Sequence, residues 1–115
     1  MPIPDDIRPL LDEVNAEPRD LYGARLDRLV LYGSYARGDV HDESDVDLLV
    51  VLEGPVDPGR EVRRMSDVRS RLGLAHEVAL SLLPVSSKDA EAAAEDATSA
   101  ASPWLINVSR EGIQL

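Results

Sequence analysis

The stretch Val46 to Leu52, VDLLVVL, is almost continuously apolar. In extended backbone successive side chains point to opposite faces, so such a run reads as a strand buried on both faces and central to a sheet. With 115 residues the chain can bury one core but has no room for two independent domains, and residues 1–115 are expected to form a single unit.

The flanking segments supply the cover. From Asp5 to about Tyr22, helix formers place Ile7, Leu10, Leu11 and Val14 at helical spacing, and Pro18 is expected to break or restart the helix. Leu26 to Tyr32 (LDRLVLY) reads as a strand ending in a tight turn at Gly33-Ser34, and the polar segment Tyr35 to Ser44 is expected to begin with a short helical turn. After the turn signals Gly54-Pro55 and Pro58-Gly59, a helix from about Arg60 to Leu72 turns Val62, Met65, Val68 and Leu72 to the core, with Gly73 closing it. His76 to Val85 reads as a third strand, and Lys88 to Ala101 as an acidic, Ala-rich surface helix. A last helix, with Ser102 as N-cap and Pro103 in its first turn, carries Trp104, Leu105 and Val108 towards Gly112. This order predicts an α+β (α/β-like) fold, a small mixed sheet packed with helices.

The chemistry concentrates in residues 31–53, LYGSYARGDVHDESDVDLLVVLE, where Gly-Ser follows one strand and Asp-Val-Asp opens the next. Gly33 permits a sharp turn in which backbone N–H groups and the Ser34 hydroxyl point at a phosphate. Asp45 and Asp47, two apart in extended chain, project to one side and can share divalent metal. Asp-x-Asp alone carries little information in so acidic a chain. Its position does, because carboxylates at the mouth of a buried strand are costly unless a metal or hydrogen bonds offset the burial.

Gly33-Ser34, ten intervening residues and Asp45-Val46-Asp47 together resemble the signature of the polymerase beta nucleotidyltransferase superfamily. The closest resemblance is to its minimal nucleotidyltransferase (MNT) domains, whose small members carry the Gly-Ser-Tyr-Ala-Arg-Gly form found at Gly33 to Gly38. The resemblance implies a polymerase beta-like fold in which Gly33 and Ser34 contact a nucleoside triphosphate, Asp45 and Asp47 hold Mg²⁺, and Arg37 helps with phosphates. It also implies a third carboxylate on a neighbouring strand, as metal ligand and base for the incoming hydroxyl. In HEVALSLLPVS the one acid is Glu77, which shares a strand face with Ala79, Ser81 and Leu83 and is the candidate third catalytic and metal-binding residue. An alternative alignment puts Ser81 in that place. Similar domains pair with a helical HEPN-type toxin as its antitoxin and transfer AMP from ATP to a tyrosine of the toxin. A non-catalytic antitoxin-like module that blocks a toxin by direct contact is the rival reading.

Composition narrows the remaining classes. A formal charge of −10 disfavours tracking a nucleic-acid backbone and favours a basic protein partner. The absence of cysteine removes thiolate and disulfide chemistry and leaves oxygen ligands, hence hard cations. No apolar run is long enough for a membrane span, and the opening MPIPDDIRPL has no secretory pattern, so a cytoplasmic location is expected. Arg60, Arg63, Arg64, Arg69 and Arg71 read first as a solvated helix face. His41 and His76 read as surface residues, and Trp104 as a core or partner-facing aromatic. The apolar residues of the last helix leave a homo-oligomer open.

Overall fold

The computed structural model describes residues 7–38, 45–95, 108 and 110–115. The elements run α1 (Arg8–Tyr22), a 3-10 turn (Gly23–Arg25), β1 (Leu26–Tyr32), α2 (Ser34–Arg37), β2 (Val46–Leu52), α3 (Pro58–Ala75), β3 (Leu80–Ser86), α4 (Ser87–Glu95) and β4 (Ile113–Gln114). The strands form one mixed sheet in the order β3-β2-β1-β4. β1 lies antiparallel to both β2 and β4, whereas β2 and β3 are parallel. The parallel connection passes through α3, the crossover that parallel neighbours require.

Strand alternation divides the apolar residues into two layers. Leu29 and Leu31 of β1, Val46, Leu48, Val50 and Leu52 of β2, and Leu80 and Leu82 of β3 face α1 and α3. There they meet Leu10, Leu11 and Val14 from one helix and Met65, Val68 and Leu72 from the other. The alternate residues Leu49 and Val51, with Val30, Tyr32, Leu83 and Val85, form a smaller cluster against Ala90 and Val108. β2 is therefore buried on both faces, as its composition predicts.

Several expectations are corrected. Val62 is 42% exposed rather than turned to the core, because Glu61 takes the inward position with Met65, Val68 and Leu72. Helix α1 runs unbroken through Pro18. The lost backbone bond is offset because Pro18 packs on the same buried face as Leu10, Leu11, Val14 and Tyr22. Helix α3 passes Gly73 to Ala75 and ends in a Schellman arrangement, with the Glu77 N–H donating to Leu74 and the Val78 N–H to Gly73. The residue in the left-handed position there is Glu77, at φ 53°, so β3 begins at Leu80 rather than His76. A fourth strand, β4, was not foreseen. The arginines of α3 are more than a solvated face: Arg71 pairs with Glu17 of α1, and Arg64 lies 3.8 Å from the carboxylate of Glu61. His76 reaches Glu13 of α1 at 2.6 Å. His41 and the last helix's Ser102 to Leu105 lie outside the described residues.

Candidate active site

The turn after β1 is built around Gly33, whose φ of 75° is a region that side chains disfavour. A Cβ at this position would also collide with Oδ2 of Asp47, so the absence of a side chain is what lets the second aspartate lie against the turn. The Gly33 carbonyl accepts from the N–H groups of Ala36 and Arg37, both at 3.1 Å, which folds Ser34–Arg37 into one helical turn and sets Arg37 on the same side as Ser34.

Asp47 enters through the sheet register. Tyr32 of β1 pairs with Asp47 of β2, and Asp47 pairs with Ser81 of β3, so the three side chains form a row across adjacent strands at the rim of the smaller layer. Asp45 is exposed, one residue before β2. Burial, and after it the charge of Asp45, push the Asp47 carboxyl above the ordinary carboxylate range, while Arg37 draws it part of the way back. The Tyr32 hydroxyl is likewise raised, by burial first and by Asp47 second, against a hydrogen bond with Ser81.

Tyr32, Gly33, Ser34, Arg37, Asp47, Val108 and Glu111 line one cavity of about 380 Å³. Gly33, Ser34, Arg37 and Asp47 are thus brought together, with Asp45 close enough for its charge to be felt at Asp47. Glu77 is not. It precedes β3, its backbone is left-handed, and it lines a different cavity with Arg69, Ser70, Leu74 and Val78. The expected shared strand face fails because the end of α3 consumes the residues assigned to the strand's start. Ser81 occupies the register position beside Asp47 instead. Glu111 of the C-terminal segment was missed: Arg110-Glu111-Gly112 carries no chemical motif, and only the pairing of β4 with β1 brings it to the cavity.

A Gly-Ser turn abutting an aspartate at the start of a central strand, with a second aspartate two residues before it, is the arrangement the sequence motif predicts. A family model described as a nucleotidyltransferase domain matches residues 11–99, which hold all of these residues. The chain belongs to the nucleotidyltransferase domain family. Two relatives come from Methanocaldococcus jannaschii, each named as a candidate protein adenylyltransferase. This nucleotidyltransferase is similar to MJ0141, with 32% identity over 76 residues, or 66% of this chain and 76% of that protein. It is also similar to MJ0604, with 53% identity over 36 residues, covering 31% of this chain and 34% of that protein. The mixed sheet packed with helices accords with the polymerase beta-like fold that the motif implies.

Nucleotidyltransferase domains generally use a divalent metal, and the donor set here fits one. Two carboxylates stand close enough for one to raise the other's proton affinity, a repulsion that a cation between them relieves. Among the described residues no group of three His, Asp or Glu side chains forms a ready-made metal site. A hard divalent cation can be held by one or two carboxylates while substrate phosphates and water supply the remaining oxygens. No described helix is long and apolar enough to cross a membrane.

Proposed function

We propose that this nucleotidyltransferase transfers AMP from ATP to a hydroxyl of a protein partner, with a HEPN-type toxin as the partner and this chain as its antitoxin. The observation that carries the reading is the single cavity shared by the Gly33-Ser34 turn, Arg37 and Asp47, with Asp45 acting on Asp47 from one residue before β2. The Ser34 hydroxyl and neighbouring N–H groups hold the β- and γ-phosphates, and the Arg37 guanidinium meets their charge with a planar fork of donors. Asp45 and Asp47 are the carboxylates for Mg²⁺, which when bound neutralises the triphosphate and stabilises charge on the leaving pyrophosphate. The acceptor hydroxyl oxygen attacks the α-phosphorus in line and gives up its proton to solvent water, the bond to the bridging oxygen of the β-phosphate breaks, and pyrophosphate departs. The name carried by MJ0141 supports a protein acceptor, and the −10 charge supports a basic one.

One observation favours a second reading. With Ser81 beside Asp47 and Glu77 elsewhere, the place of the third carboxylate holds a hydroxyl, which suits a module that binds nucleotide and blocks its toxin without modifying it. Incubating the protein and its co-encoded neighbour with labelled ATP and Mg²⁺ separates the two. Transfer predicts label on the neighbour, lost by at least about a hundredfold in Asp45→Ala/Asp47→Ala, the scale of removing a principal electrostatic contact with the transition state. An unlabelled neighbour in a tight complex selects the blocking module, and label retained by the double mutant rejects the site.

A further inference from the structure

The C-terminal segment is fastened to the sheet in one register. Ile113 pairs with Leu31 and Gln114 with Val30, the Leu115 N–H donates to the Leu29 carbonyl at 2.9 Å, and the Gly112 N–H donates to the Val108 carbonyl at 2.8 Å. Gly112 fits because it has no side chain: a Cβ there would strike Cγ1 of Val30 and come within 2.7 Å of the Val108 carbonyl oxygen. Glu111, held immediately before this contact, is thereby delivered to the cavity that contains the Gly33-Ser34 turn, and its Oε2 lies 3.5 Å from Nη1 of Arg37. Among the described residues lining that cavity the carboxylates are those of Asp47 and Glu111.

A second carboxylate on the wall of a cavity meant for a triphosphate has an electrostatic consequence. It repels the incoming phosphates and occupies the guanidinium that would receive them. Both partners of the pair are nearly half exposed, at 45% and 46%, so the pair is weak enough for a phosphate to displace it. We propose that Glu111 is a specificity-determining residue of the phosphate subsite, an internal competitor that holds Arg37 until a polyphosphate takes it over. This rests on the nucleotide site described above. Glu111 weakens binding of every ligand that uses Arg37 and leaves ligands without phosphates unaffected.

The test measures ATP binding with Mg²⁺ by titration calorimetry for the wild type, E111Q, R37A and the double variant, with adenosine as the phosphate-free control. E111Q keeps the size of the side chain and the docking of β4. It is expected to tighten ATP by up to about fivefold, the range that an exposed pair spans. That gain should vanish in the R37A background, the non-additivity of two side chains acting through one contact, and adenosine should bind all four proteins alike. Unchanged or weaker ATP binding by E111Q overturns the competition while leaving the nucleotide site standing, and so does an equal gain with or without Arg37. Absence of ATP binding by the wild type overturns both.

Discussion

The two faces of the sheet do different work with the same strands. The face turned to α1 and α3 is a thick apolar layer in which Leu29, Leu31, Leu48, Val50 and Leu52 are entirely withdrawn from solvent. The opposite face carries a smaller cluster and, at its rim, the row of Tyr32, Asp47 and Ser81. Neighbouring residues of β2 thus belong to different tasks: Leu48 to the core and Asp47 to the site. The division explains how a chain this small sustains a costly group. Asp47 is partly desolvated beside another carboxylate, a local penalty that the apolar layer behind it outweighs.

The sharpest way to break this division is Leu48→Ala. Removing a fully buried leucine side chain from the thick layer is expected to lower unfolding stability by about 2–5 kcal/mol in urea titration. ATP affinity of the protein that remains folded should stay at the wild-type value. Weaker nucleotide binding at a temperature where the variant is fully folded would mean that the two faces are coupled.

Glu61 probes the helix layer with a charge. It is 2% exposed, yet it accepts from the Tyr22 hydroxyl at 2.9 Å and from Arg25 Nη1 at 3.0 Å. Burial pushes its carboxyl up, but those hydrogen bonds and the charges of Arg25 and Arg64 outweigh it and hold the group below the usual range. A depressed carboxyl contributes stability that is present above its unfolded value and lost as pH falls through the folded one. Glu61→Gln is therefore expected to cost about 2 kcal/mol near neutrality, the scale of a charge-assisted hydrogen bond. The gap to wild type should close as pH drops below about 4.3, the unfolded glutamate value. A gap that persists undiminished in acid would assign the loss to packing rather than charge.

How legible each face was in the sequence follows from the range of the signals. β1 and β2 have the predicted bounds, Leu26–Tyr32 and Val46–Leu52, because each is an apolar run closed by a glycine turn or a polar loop. Gly33, Ser34 and Asp47 were legible because strand periodicity and one turn suffice to bring them together, whereas Arg37 entered only through the resemblance of Gly33 to Gly38 to the family motif. The misplacements came where the outcome depends on non-local contacts. Pro18 stays helical because the layer beneath it buries its ring, which no local rule sees. Glu111 enters the cavity through a pairing more than 80 residues distant in sequence, Leu31 with Ile113, and β4 is too short to announce itself.

Glu77 was misplaced for a subtler reason, and it provides the smallest and most discriminating test of the comparison. Gly73 looked like the natural stop for α3, yet the helix ran two residues further and the left-handed position that closes it fell to a glutamate. A residue with a side chain is disfavoured there, so Glu77→Gly is expected to raise stability by about 0.5–1 kcal/mol, offset in part by the greater freedom glycine gives the unfolded chain. The melting temperature should rise slightly, and nucleotidyl transfer should proceed at the wild-type rate because Glu77 lines a cavity apart from Asp47. A variant that is more stable but has lost transfer would return Glu77 to the site as the third carboxylate. It would also require β3 to begin before Leu80 when nucleotide is bound.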